Sequence, residues 1–520
     1  MLKDVRYSFR LLGIAWTLAR YDALFGLQAL NVSPFVTGTA RLVARRRTGL
    51  RPGQRLSLAL QALGPSFIKL GQLLSTRADL VGEEVAEDLT ELQDRLPPFP
   101  AAAARAMIEE QLGGSITTLF AQFDEEAHAA ASIAQVHFAV THAGREVAVK
   151  VLRPGIEEAF KRDIDLFFWL ARLVERRLPQ YRRLKPVAVI QTFATTTELE
   201  LDLRYEAAAA EELRANTQND MDFYVPQVEW DLTARRVLTT ERIRGFSAHD
   251  VAGMRAAGID PDATMQKAAT AFFNQVFRDG FFHADMHPGN LFVLPDGRLA
   301  PVDFGIMGRI DHENQLVLAE ILWAFMKGDF MRVAVLHRQA GWIPPHVPVE
   351  QFAQAARAVG QPIMGKALNE ISVGRLLGQL LHIAETFEME AQPHLFLLQK
   401  TMVTAEGVGR YLNPNVNMWK LSEPLIKQWA QEHFSVRARL KHIRHEVNDI
   451  LRDAPRVLRG LKEYLETTKE EGITLSPQSL SKLEEQRAAH HRQWLKLGWS
   501  ALILAVATAA FFVAQSLRAA

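Results

Sequence analysis

The chain has 520 residues, with 60 Lys+Arg against 59 Asp+Glu and a formal net charge of +1. That length can hold two or three domains with sizeable cores, and the charge balance gives no general electrostatic case for a nucleic-acid partner. With no cysteine, disulfides, thiol nucleophiles and cysteine-ligated zinc or iron–sulfur centres are excluded.

Taken in order, the N-terminal stretch "YSFRLLGIAWTLARYDALFGL" is apolar but interrupted by Arg10, Arg20 and Asp22. It lacks the small-residue cleavage site of a signal peptide, so an amphipathic helix on the protein or membrane surface is expected. Residues 1–120 read as a helical extension, with a break at "DRLPPFP" (94–100), where three prolines cannot sit inside a helix. The texture then changes. "SIAQVHFAV", a turn at "HAG" and "REVAVKVLR" predict a β-hairpin. Residues 157–216 return to helix, and "VPQVEWDLTARRVLTTERIRG" (225–245) reads as strand–turn–strand. An apolar helix from Thr264 to Arg278 leads into "HADMHPGN" (283–290), and "LFVLPDGRLAPVDFG" (291–305) places a tight "PDG" turn between two short strands. From 315 to about 470 the pattern is helical.

The end of the chain carries "LGWSALILAVATAAFFV" (497–513), roughly 17 uncharged residues, at the short limit for spanning a bilayer. Arg487, His490, His491, Arg492 and Lys496 precede it, Trp494 and Trp499 flank it as an aromatic belt would, and Arg518 follows. The positive-inside rule predicts a tail anchor over 497–515 with the main body in the cytoplasm. The alternative is a buried alanine-rich terminal helix.

The order of elements is that of an α+β, bilobal protein-kinase-like fold. It has a helical extension (1–120), a small β-rich N-lobe (121–244), a helical C-lobe (245–430), a helical C-terminal region (431–493) and a C-terminal transmembrane helix. Phosphoryl transfer needs positioning of a nucleotide and neutralisation of charge on its oxygens. His283, Asp285 and Asn290 have the H-x-D-x-x-x-x-N spacing of a kinase catalytic loop. Asp303-Phe304-Gly305 follows a short hairpin where a metal-binding D-F-G belongs, and "VAVK" ends in Lys150 on a predicted strand. Each piece alone is weak, but their joint order is specific. A transition-metal site at His283, Asp285 and His287 would leave Lys150 and the D-F-G unexplained.

Lys150 also needs a carboxylate. Read as one continuous helix, "TTTELELDLRYEAAAAEELRAN" aligns Leu199, Leu203, Ala210 and Leu213 in an apolar stripe, and Glu206 falls inside it. A carboxylate on a buried face requires a partner, so Glu206 is expected to pair with Lys150. Asp202 lies on the stripe's edge and Glu200 points elsewhere, which leaves a solvated helix face as an equal alternative for both. One kinase part is missing: no G-x-G-x-x-G precedes Lys150, and "HAAASIAQVH" (128–137) takes its place. Alanine resists the strained backbone conformations that glycine permits. No A-P-E follows the D-F-G.

The chain resembles the UbiB/AarF family of atypical protein-kinase-like proteins, themselves related to the aminoglycoside phosphotransferases. The matching stretches are "FIKLGQLLSTRADL", "LQDRLPPFP", "AAASIAQVH", "VAVKVLRPGI", "DGFFHADMHPGN" and "VDFGIMGR", over roughly residues 60 to 310. The resemblance implies an alanine-rich loop, Ala129, Ala130, Ala131 and Ser132, covering the phosphates of ATP or ADP. It implies a K-x-G-Q helix over the site, here Lys69, Gly71 and Gln72, and an E-x-D motif at Glu200 and Asp202. Lys69 and Gln72 are i, i+3 neighbours, and Gly71 would permit close packing. Asn290 and Asp303 are expected to hold Mg²⁺, Asp285 to serve the attacking group, and Glu241 to Ile243 to form the hinge near adenine.

The family likeness further implies membrane association and support of ubiquinone biosynthesis. Membrane lipids, quinone precursors or quinone-biosynthesis enzymes become the expected partners. One predicted span replaces the two of many bacterial relatives. The rival readings are a small-molecule phosphotransferase, since choline- and aminoglycoside-type enzymes share the catalytic-loop spacing, and a non-catalytic nucleotide-gated lipid-binding scaffold.

Overall fold

The computed structural model describes residues 2–23, 49–75, 81–90, 92, 96–177 and 185–364, and scattered positions from 366 to 429. They fall within one compact unit, Met1–Glu432. The expected C-terminal region (431–493) and tail anchor (497–515) lie outside the described residues. Among the described residues, no helix is long and apolar enough to cross a membrane.

The extension is helical: α1 (Leu2–Arg20), α2 (Pro52–Leu63), α3 (Pro65–Ser75), α4 (Glu83–Thr90), α5 (Ala101–Leu112) and the single turn α6 (Ile116–Leu119). Proline at the first position of α2 is pre-set for a helix start, and Gly64 (φ +106°) ends it in a conformation that side chains resist. Residues 96–100 are non-helical, as the prolines of "LPPFP" require.

An antiparallel sheet follows: β1 (Gln122–Phe123), β2 (Ala129–Ala130), β3 (Ala134–Val140) and β4 (Glu146–Leu152). Both β1 and β2 pair with β3, so residues 122–130 form one interrupted edge strand. The predicted hairpin is β3–β4, with Val136 opposite Lys150 and Phe138 opposite Ala148. Alternation decides its faces. Val147, Val149 and Val151 pack against Met107, Ile108, Ile116 and Phe120 of α5 and its surroundings, so Ala148 and Lys150 face the other way. Each fully buried valine contributes about 1.5–3 kcal/mol to holding that face inward.

Next come α7 (Ile156–Arg177), α8 (Pro186–Glu200) and α9 (Leu203–Asn216). The single helix expected across 195–216 is broken at Leu201–Asp202. Asp202 is extended (φ −124°, ψ 95°) and its carboxylate caps α9 by accepting from the Arg204 N–H. The side-chain bond satisfies a helix-end donor better than continued helix would. Leu199 consequently leaves the stripe and is exposed, while Leu203, Glu206, Ala210 and Leu213 keep a common buried face.

The 225–245 stretch also departs from expectation. Only β5 (Val237–Glu241) is a strand, and β4 is its neighbour. Residues 225–236 form an irregular return with a 3₁₀ turn at Trp230–Leu232, held by bridges Val228↔Thr240 and Ala234↔Val237. β6 (Phe246–Ser247), α10 (Val251–Ala256) and α11 (Pro261–Phe273) open the C-lobe. A π-helical turn, Asn274–Asp279, prolongs α11. Then come β7 (Phe281–His283), the predicted hairpin β8 (Leu291–Val293) and β9 (Leu299–Pro301), and β10 (Met307–Arg309). β10 pairs with β7 and β6 with β8. Helices α12 (His312–Met326), α13 (Phe330–Gln339) and α14 (Val349–Gly360) complete the described lobe.

One core joins both lobes and the extension. Leu60, Phe67 and Ile68 share it with Phe160, Leu203, Leu213, Leu291 and Phe304.

Candidate functional site

Lys150 leaves the cleft face of β4 and donates to both oxygens of Glu206, at 2.7 and 2.9 Å, and to Asp303 Oδ2 at 3.2 Å. Strand, helix and D-F-G turn therefore meet at one ammonium. Glu206 Oε1 also accepts from the Phe304 N–H at 3.3 Å, and Asp303 Oδ1 from the Gly305 N–H at 3.0 Å. Burial works against the charge of Lys150, but the carboxylates of Asp303 and Glu206 outweigh it and raise its pKa. Burial likewise opposes the charge of Asp303, yet Lys150 and the Gly305 N–H hold its carboxyl well below the usual range. Burial pushes Glu206 the other way; Lys150 pulls against that rise and the Asp303 charge adds to it.

His283 is fully buried. Its Nδ1 accepts the Asp285 N–H at 3.1 Å, so the proton sits on Nε2, which donates to the Asp303 carbonyl in a short contact. Burial lowers the pKa of the ring and favours this neutral tautomer. One imidazole thus ties the catalytic-loop strand to the D-F-G turn, and Phe304 packs with it at 5.9 Å. His287 is used locally: its ring Nδ1 accepts the Gly289 N–H at 3.0 Å and its backbone N–H donates to the Asp285 carbonyl at 2.8 Å. Among the described residues, no group of three or more His, Cys, Asp or Glu could hold a metal ion.

Sequence reading missed Gln275. It is buried in the π-turn, and its Oε1 accepts the His283 N–H at 3.0 Å. A π-turn swings this residue off the regular helical face. The sequence carries no signal that singles it out, since Gln266, Lys267, Asn274 and Arg278 are polar in the same stretch.

Asn290 lies five residues after Asp285 and folds back on it, Nδ2 to the Asp285 carbonyl at 3.4 Å. Its own carbonyl accepts from Val302 N–H at 3.0 Å, which places the Asn290 backbone beside the residue preceding Asp303. The donor set fits Mg²⁺. A carboxylate and a carboxamide oxygen are hard ligands, and one lysine faces two carboxylates, leaving excess negative charge.

The alanine-rich segment is a short strand and a turn. Ala129 pairs with Val136 and Ala130 with Gln135, while Ala131 N–H closes onto Ala134 O at 2.8 Å and Ser132 is buried. Glu241 ends β5. It accepts from the Tyr224 hydroxyl, and burial followed by this bond pushes the phenol up to about 12. Ile243 lies between β5 and Gly245, where a Cβ would come within 2.6 Å of the Val293 carbonyl, so the interlobe passage runs hard against β8.

Lys69 in α3 forms an ion pair with Glu200 at 2.9 Å, and both side chains are only 13% exposed. Asp202 is buried and accepts from the Arg204 guanidinium at 2.7 Å, and the Arg204 side chain holds its carboxyl below the usual range. The solvated-face alternative for these two acids is therefore overturned. A Cβ on Gly71 would meet Leu60 Cδ1 and Leu92 Cδ2 at 2.7 Å each, so its lack of a side chain seats α3. Gln72, one residue on, is half-buried.

This geometry agrees with comparisons to known proteins. The ABC1 atypical kinase-like domain matches residues 91–337, and the UbiB helical domain matches 356–417. The chain is 40% identical over 507 residues to a probable protein kinase UbiB of Marinobacter nauticus, covering 95% of this chain and 92% of that one. It is 45% identical over 414 residues to that of Pseudomonas aeruginosa strain LESB58, covering 79% and 78%. Among solved structures it is similar to Rv3197 of Mycobacterium tuberculosis in complex with erythromycin, at 26% identity and a TM-score of 0.50, over 68% of this chain and 90% of that chain. A paired strand lysine, a catalytic-loop histidine locked to the D-F-G turn and these matches lead to one assignment: the chain belongs to the UbiB family of atypical kinase-like proteins.

Proposed function

We infer that the protein binds a magnesium nucleotide between its lobes and works as an atypical kinase or ATPase in isoprenoid-quinone (ubiquinone) biosynthesis, at the membrane. The observation carrying this reading is the convergence of Lys150, Glu206 and Asp303. Lys150, held by Glu206, orients the α- and β-phosphates. Asn290 and Asp303 hold Mg²⁺, which when bound neutralises charge on the transferring oxygens. Asp285 orients or deprotonates the attacking hydroxyl or water. Residues 129–132 cover the phosphates and 241–243 border the base. Lys69, Gly71 and Gln72, on a helix tied to Glu200 through Lys69, restrict entry, which favours a lipid-linked acceptor or simple hydrolysis over a protein substrate.

The tail at 497–515 anchors this machine in the bacterial inner membrane, with quinone precursors or their enzymes as partners. The test is MgATP hydrolysis by the full chain, with and without anionic-lipid vesicles and quinone-like phenols. Stimulation by both supports the reading; nucleotide binding without turnover under any condition would replace it with a nucleotide-gated scaffold. A small soluble acceptor is the second reading, favoured by the erythromycin in the similar solved structure. A phosphorylated soluble metabolite detected by mass spectrometry would select it.

A further inference from the structure

Helix α1 has one face packed on the protein and one face left to solvent. Arg10 fixes the inner face: it donates to buried Asp163 of α7 at 3.0 Å and lies 5.9 Å from the Phe67 ring centre of α3. Ile14 packs against the main core, and Ala19 and Ala23 are buried. Just past the helix, Asp22 pairs with Arg55 of α2. These contacts set the rotation of α1 about its axis and so decide which residues look outward. Leu12, Trp16 and Arg20 recur every four residues on the opposite side. Leu12 is 66% and Trp16 58% exposed, and Arg20 is exposed with them.

A single exposed apolar side chain needs no explanation. A leucine and a tryptophan one turn apart on a pinned helix, with an arginine a turn beyond, form the pattern of a helix lying in a lipid interface. Charge selects the kind of lipid. The first 55 residues carry ten Lys and Arg against two Asp and no Glu, a net charge of +8, which leaves −7 for the rest of a chain whose total is +1. Of those ten cations, Arg10, Arg51 and Arg55 are paired with Asp163, Asp88 and Asp22. A basic surplus gathered at one end of a near-neutral chain is drawn to an anionic surface. Nucleic acid would answer the charge but offer nothing to Leu12.

We propose that the outward face of α1, formed by Leu12, Trp16 and Arg20, lies in the headgroup layer of an anionic bilayer and is a second membrane contact in addition to the tail. This rests on the membrane location inferred above and is independent of the nucleotide reading. The tail holds the chain by apolar insertion, which is indifferent to headgroup charge, whereas α1 holds the kinase-like body through apolar and cationic side chains together.

Because the chain has no cysteine, one introduced thiol gives a site-specific reporter. Trp16→Cys and, as a control, Met221→Cys at a residue 89% exposed each carry an environment-sensitive fluorophore. The full chain is reconstituted into vesicles of phosphatidylcholine alone or with phosphatidylglycerol, and thermal unfolding checks the fold. With phosphatidylglycerol, emission from position 16 is expected to move to the blue and to be quenched by lipids brominated on their acyl chains, while position 221 stays unchanged. Adding Arg20→Gln should lower this contact equilibrium about fivefold, the factor for one cation at an anionic surface. Leu12→Cys carries the test if Trp16→Cys does not fold. No shift at position 16, the same shift at both positions, or equal shifts with neutral and anionic vesicles would overturn the proposal. A shift at position 16 caused by RNA added over neutral vesicles would give the face to nucleic acid and overturn it too. Failure of the unmodified chain to float with either vesicle would overturn the membrane reading itself, and this inference with it.

Discussion

Lys69 and Glu200 come from the helical extension and from the end of α8, and they meet in an ion pair of 2.9 Å that solvent barely reaches. Removing one partner strands the other charge in a poorly hydrated place. Lys69→Met is expected to destabilise the fold by about 1–3 kcal/mol, and Glu200→Gln by a similar amount. The double variant should recover part of the loss. A double-mutant cycle in urea would read the coupling; strictly additive effects would show that the pair does not hold α3 in place.

Asp303 carries the metal assignment. Asp303→Asn keeps the shape, removes the charge and leaves Lys150 paired with Glu206. The expected outcome is loss of Mg²⁺-dependent nucleotide binding with the fold intact, seen as a magnesium dependence that disappears from the titration. Nucleotide affinity that still responds to Mg²⁺ would move the metal elsewhere.

What could be read in the sequence, and what could not, divides along physical lines. The β3–β4 hairpin was legible because alternating valines and a tight turn specify both register and face. Glu206 was legible because a carboxylate in an apolar stripe demands a partner. The break before α9 was not. Asp202 sits among helix formers, and whether an aspartate caps a new helix or rides an old one depends on what its carboxylate meets in three dimensions. Hence Leu199 was placed on a stripe that it does not join. Residues 225–236 misled for a related reason: their apolar residues fill the core between lobes as single contacts, such as Val225 and Val228, without forming a ladder. Gln275 stayed hidden because a π-turn changes a helix's phase by one residue and leaves no mark on composition.

The buried His283 gives a pH prediction whose sign can be worked through. Its folded pKa lies below the ordinary value of 6.5 because burial opposes the charge. The unfolded chain therefore binds a proton first as pH falls, and stability is full above about 6.5 and declines below it. His337, also depressed by burial, adds to the same slope. Denaturation midpoints measured from pH 7.5 to 5 should fall. His283→Asn should lower stability at every pH but flatten that fall, and an unchanged slope would mean that His283 is not the titrating group.

Gly71 tests how tightly the K-x-G-Q helix is seated. A methyl there would press on Leu60 Cδ1 and Leu92 Cδ2, both ends of flexible side chains that can give way. In mid-helix, alanine also gains about 1 kcal/mol over glycine in intrinsic preference, which offsets some of the crowding. Gly71→Ala should therefore lie within about 1 kcal/mol of the unmodified chain. Gly71→Val adds two branched methyls that the same gap cannot absorb, and overpacking of this kind costs about 1–3 kcal/mol. Because Lys69 rides on the same helix, a displaced α3 would also pull its ammonium from Glu200. Combining Gly71→Val with Lys69→Met should then cost less than the sum of the two. Full additivity, measured by chemical denaturation, would show that α3 can shift without disturbing the Lys69–Glu200 contact.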